Sequence, residues 1–90
     1  MPHIMLEATF DPALTDEDLQ GHLERVTPCL GQNNVRWICS FLSEDRTRRI
    51  CIHEAPDAEA VRDAYRTADI PFVRAWPAQL LSLDENPSLK

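Results

Sequence analysis

The sequence predicts an α+β domain whose elements run strand, helix, strand, strand, helix, strand. Three observations predict it. The first is an alternating apolar run over residues 3–10. The second is a pair of β-rich runs, 35–42 and 47–54, joined by a short charged turn. The third is two stretches with helical spacing, each preceded by a capping residue and an acidic first turn.

Residues 3–10 place Ile4, Leu6, Ala8 and Phe10 on one face of a strand and His3, Met5, Glu7 and Thr9 on the other. One apolar and one mixed face suit a sheet covered by helices on one side only. Asp11-Pro12 ends this strand. Thr15 offers an N-cap, and Asp16, Glu17 and Asp18 complement the positive end of the helix dipole. Asp18, three residues after Thr15, makes a near-capping box, Asp being shorter than the usual Glu or Gln. Leu19, Leu23, Val26 and Leu30 then recur at helical spacing. Gly21 costs about 1 kcal/mol relative to Ala within a helix, and close packing on the sheet is its expected use. Pro28 is expected to kink or end the helix.

The second strand, 35–42, is rich in β-branched and aromatic residues. The third, 47–54, is expected to direct Ile50 and Ile52 one way and Arg49, Cys51 and His53 the other. Ala55-Pro56 closes it, and Asp57 caps a helix from about Ala58 to Ala68 with a stripe of Ala60, Val61, Ala64, Tyr65 and Ala68. Phe72 to Trp76 form a short last strand, with a resumption at Leu80–Leu83; Pro77 confines it to an edge. Residues 1–83 thus read as one domain and 84–90 as a polar tail. The order βαββαβ is the ferredoxin-like signature. It implies a four-stranded antiparallel sheet with the first and third strands central, two helices on one face, and an opposite face left open to meet something.

Composition excludes several functions. A chain of 90 residues with 43% hydrophobic and 27% charged residues is an ordinary globular domain with a small core. Its formal charge of -6 disfavours nucleic acid and anionic membranes. The basic cluster Arg46, Arg48 and Arg49 reads as a solvated turn that protects a strand edge. No stretch approaches the roughly 18 apolar residues of a membrane span, and the N-terminus has no signal-peptide pattern. Three cysteines without a CxxC spacing fit a reducing cytoplasm, the expected location.

The middle of the chain resembles a known family. Trp37-Ile38-x-Ser40-Phe41, a charged turn, Cys51-x-x-Glu54-Ala55-Pro56 and Glu59-Ala60-Val61-Arg62 are similar to a family of small ferredoxin-like proteins of unassigned function, some described as nickel-binding. Met5-x-Glu7-x-x-Phe10 and Ala68-x-Ile70-Pro71 extend the resemblance over residues 3–76. It implies the fold, a homodimer through the open sheet face, and binding of nickel or another divalent transition metal. Two positions depart from the pattern. Many members carry a His in the second helix where this chain has Ala64, and a His or Arg two residues after the strand tryptophan where it has Cys39. If those histidines hold nickel in relatives, this chain lacks part of the set.

The expected site follows from strand parity. Glu7 of the first strand and Cys51 and His53 of the third are expected on the open face, offering O, S and N donors suited to nickel or zinc. The bland alternative makes Cys51 a small buried hydrophobe and His53 a hydrogen-bonded interface residue. Cys39 joins the site only in one hairpin register. A two-residue turn at Glu44-Asp45 pairs Leu42 with Thr47 and Ile38 with Cys51, and turns Trp37, Cys39 and Phe41 toward the helices. A three-residue turn sets Cys39 opposite Cys51 and Trp37 opposite His53. The first gives the better apolar core. His22 reads as solvated helix surface, and Cys29 as incidental.

Catalysis finds little support. Cys51 and His53, two apart on a strand, stand about 7 Å from each other, too far for a nucleophile and its base. Two glycines make no phosphate loop. The expectation is a non-catalytic divalent-metal-binding homodimer. The alternative is a dimeric α/β-barrel-type protein or enzyme with a small-molecule pocket between the sheets.

Overall fold

The computed structural model describes residues 1–81. The elements are β1 (His3–Thr9), α1 (Asp16–Gln32), β2 (Arg36–Leu42), β3 (Arg48–Glu54), α2 (Ala58–Thr67) and β4 (Arg74–Ala78). The strands form one sheet in the order β2-β3-β1-β4, and every neighbouring pair is antiparallel. This is the expected ferredoxin-like arrangement, with β1 and β3 central. Pro77 lies in β4 at the sheet edge, where its missing N–H disturbs no second partner strand. Of the expected resumption at Leu80–Leu83, Leu80 and Leu81 are exposed and outside any strand. Ser82, Leu83 and the 84–90 tail lie outside the described residues.

Local chemistry sets the helix ends. The Thr15 N–H donates to Asp18 Oδ2 at 2.9 Å, and the Asp18 N–H donates to Thr15 Oγ1 at 3.0 Å. Asp therefore closes a full capping box despite its length. Pro28 does not end α1, which runs on to Gln32. Pro28 and Glu24 are both exposed, so water can take the carbonyl that the proline leaves unbonded, while Val26, Cys29 and Leu30 bury the other side. Gly21 does not serve close packing on the sheet, since an added Cβ would meet only Arg25 Nη1, at 3.4 Å. The Asp57 carboxylate caps α2, accepting from the Ala60 N–H at 2.8 Å. Ala58, Val61, Ala64 and Tyr65 form the buried stripe of α2.

The core lies between the helices and one sheet face. Ile4, Leu6 and Ala8 are fully buried there, as their alternation in the sequence implies. The phase of β3 is the reverse of the expected one. Ile4 pairs with His53, Leu6 with Cys51 and Ala8 with Arg49, so these three β3 residues face the helices and are buried. Ile50 and Ile52 pair with Glu7 and Met5 on the open face.

At the turn the hairpin follows neither expected register, although Trp37 stands opposite His53 as the three-residue turn implies. Leu42 pairs with Arg49 and Ser40 with Cys51, which leaves a four-residue loop, 44–47. Asp45 Oδ1 holds it, accepting from the Ser43 hydroxyl at 2.7 Å, the Thr47 hydroxyl at 2.7 Å and the Thr47 N–H at 3.1 Å. Such side-chain bonds substitute for backbone turn bonds and support a wider loop than two residues. Arg46 adopts a positive φ of 63° there, costly for a long side chain; its guanidinium is anchored on Asp16 at 2.8 Å. A register shift between Trp37 and Cys39 then brings Trp37 opposite His53.

Replacing Asp57 with Ala is expected to lower stability by about 1 kcal/mol in urea denaturation, with Asp57→Ser restoring most of it.

Candidate functional site

The expected metal ligands are not brought together. Glu7 lies on the open face, while Cys51 and His53 lie beneath the helices, so the sheet itself separates them. Glu7 is already engaged. Its carboxylate sits 2.9 Å from Arg48 Nη2 and 3.4 Å from Arg74 Nε.

His53 is fully buried. Its Nδ1 lies 3.4 Å from the Ile4 carbonyl oxygen and its Nε2 lies 2.9 Å from the Tyr65 hydroxyl. A carbonyl only accepts, so Nδ1 carries the proton, and Nε2 accepts from the Tyr65 O–H. The lone pair that a metal would require is thereby occupied. Burial pulls the His53 pKa down from 6.5 to about 4, against a smaller upward pull from the Ile4 carbonyl. Burial, followed by the neighbouring Cys51, pushes Tyr65 upward. The ring edges of His53 and Tyr65 meet in a T-shape at 5.5 Å. This trio is a polar knot inside the core. Among the described residues, no three His, Cys, Asp or Glu side chains gather closely enough to hold a metal.

Two surfaces remain. The open face carries an apolar row across all four strands, Cys39–Ile52–Met5–Trp76, beside Phe41 and Ile50. Phe41 is 69% exposed. Next to the row stand His3 and Glu54, which pair across β1 and β3, with Glu54 ion-paired to Arg36. Cys39 thus belongs to this face, opposite Ile52, and is separated from Cys51.

The second surface is a cavity of about 530 Å³ between α1 and β2, on the helix side of the sheet. Leu23, Val26, Leu30, Trp37 and Leu42 wall it, and Arg49, Cys51 and His22 border it. The basic cluster expected at the turn is dispersed. Arg46 binds Asp16 and Arg48 binds Glu7, while Arg49 is buried and lies over the Phe10 ring, 5.0 Å from its centre. His22 is not solvated surface either. Its ring packs 5.7 Å from Phe10, and burial, then Arg49 and Arg25, hold its pKa below the usual histidine range. Sequence reasoning missed both residues. Arg49 shares its phase with Cys51 and His53 and moves under the helices with them once β3 is reversed; no sequence signal marks His22.

The family model described as nickel responsive protein SCO4226-like matches residues 5–77. The chain belongs to this family. The SCO4226-like fold is met again in the crystal structure of SCO4226 from Streptomyces coelicolor A3(2), with a TM-score of 0.78 and 19% sequence identity over 89% of this chain and 99% of that one. No curated protein matches. At that identity the likeness concerns the fold alone. Nickel enters through the description of the SCO4226-like family, and the donors that a single chain gathers among the described residues do not fit a metal. No helix among the described residues is long and apolar enough to cross a membrane.

The His53 knot has a pH signature. Its folded pKa, about 4, lies below its unfolded value of 6.5, so the unfolded chain takes up the proton first. Stability is complete above about pH 6.5 and falls as pH drops toward 4, by roughly 3 kcal/mol in all. Urea midpoints measured across this range should decline in the wild type and stay flatter in His53→Gln, whatever the variant's absolute stability.

Proposed function

We propose that the chain is a non-catalytic nickel-response protein that works as a homodimer through its open sheet face and holds a divalent metal between the two copies. The observation that carries this reading is the chemistry of that face. Its centre is apolar from edge to edge, and such a face on a small domain is stabilised by covering it. Its carboxylates are already paired within the chain, Glu7 with two arginines and Glu54 with Arg36. A second copy therefore need not desolvate an unpaired carboxylate. Two sheets packed face to face stand about 10 Å apart, within reach of side chains from both.

His3 and Cys39 share this face and offer N and S donors that suit nickel, with Glu54 beside His3 as an O donor that Arg36 would have to release. Among the described residues, one chain does not gather three such donors in one place; a two-fold axis doubles each of them. The metal then ties assembly to metal supply, because its ligands would come from both chains.

The test is hydrodynamic and analytical. The wild type is expected to sediment at twice the 10.3 kDa of one chain, and Ile52→Glu, with a charge at the face centre, as a folded monomer by circular dichroism. Nickel measured by equilibrium dialysis should bind the dimer and be lost in His3→Ala. A monomeric wild type would refute the reading, and nickel uptake unchanged in His3→Ala would refute its metal half.

A further inference from the structure

Arg49 is 7% exposed, and its Nε is buried without a hydrogen-bond partner. None of the ion pairs among the described residues includes it. Burying a guanidinium without a counter-charge is unfavourable, and contact with the Phe10 ring offsets only part of it. His22 Nδ1 is likewise buried and unpartnered. These are the two such side-chain atoms among the described residues, and both belong to groups packed against Phe10. Both groups border the α1–β2 cavity. Two unmet polar atoms at one end of an apolar cavity mark a place where a polar partner is missing.

The shape of the cavity has a local cause. Α1 buries only Val26, Cys29 and Leu30, all in its second half, so Leu23 stands half exposed above β2. The register shift in β2 turns Trp37 to the same side, where its Nε1–H donates to Ser40 Oγ at 2.8 Å. The resulting volume of about 530 Å³ falls within the roughly 300–1,000 Å³ of small-molecule sites.

The charge and the walls together define the ligand. Arg49 rejects a cation and, facing a neutral apolar molecule, would stay unpaired. A carboxylate accepts from a guanidinium in a fixed, two-pronged geometry, and His22 with its proton on Nδ1 adds a third donor. We propose that the α1–β2 groove binds a small carboxylate with an apolar body. The carboxylate rests on Arg49, and the body lies against Leu23, Val26, Leu30, Trp37 and Leu42. This site lies across the sheet from the open face, so its occupancy does not depend on the dimer or on metal.

Decanoate and decanol, which share a chain and differ in charge, serve as probes on the full-length protein. Calorimetry, with Trp37 fluorescence as a second readout, is expected to show decanoate binding at micromolar concentrations and decanol at least tenfold more weakly. Arg49→Met, which keeps the length and removes the charge, should erase that preference. Leu23→Glu, at an exposed position that folding does not need, should weaken decanoate by tenfold or more and leave the circular dichroism spectrum unchanged. No decanoate binding by the wild type, equal binding of the two probes, or a preference that survives Arg49→Met would overturn the proposal.

Discussion

The hydrogen bond between Tyr65 of α2 and His53 of β3 is the interaction on which the two surfaces of this domain depend. It joins a helix to a central strand inside the core, 2.9 Å long and fully enclosed. A buried imidazole without that partner would be expensive. With it, β3 can hold Arg49, Cys51 and His53 under the helices, where the alternation of the strand fixes all three together. The other residues of β3 then have one place to go. Ile50 and Ile52 emerge on the open face and complete its apolar row. A polar contact in the core thus produces the hydrophobic character of the opposite surface.

Much of the architecture could be read from the residues because it rests on short-range chemistry. Thr15 and Asp57 announce helix starts by their own side chains, Ile4, Leu6 and Ala8 declare the buried face of β1, and Pro77 marks an edge. The phase of β3 was not legible, because both of its faces are plausible interiors. Ile50 and Ile52 look like core residues, and nothing local shows that Tyr65, 12 positions after His53, will satisfy the histidine. The hairpin loop escaped for a related reason. Its length depends on three bonds to one carboxylate oxygen of Asp45, a cooperative arrangement that residue preferences do not reveal. The phase decides the candidate site, since Glu7, Cys51 and His53 converge only if β3 is in the opposite phase; the loop decides only where Cys39 stands.

The consequence for function is a division of labour across a single sheet. The open face offers apolar area and metal-type donors but no enclosed space. The helix side offers a partly open cavity and an unpaired cation but, among the described residues, no donor set. The SCO4226-like family is described as nickel responsive, and in the proposed dimer the positions able to serve nickel are those that the second copy would complete. Ala64 fits that picture. It is fully buried, so a histidine there would enter the core and not the open face.

The irregularity at Ile38 separates the two ends of β2. On one side of it Cys39 and Phe41 serve the open face, and on the other Trp37 leans over the groove. A regular strand of the same length would bind these positions to a single alternation, so that a change favouring one surface would displace the other. With the irregularity in place each end can drift on its own, and one edge strand can be under two separate selections at once.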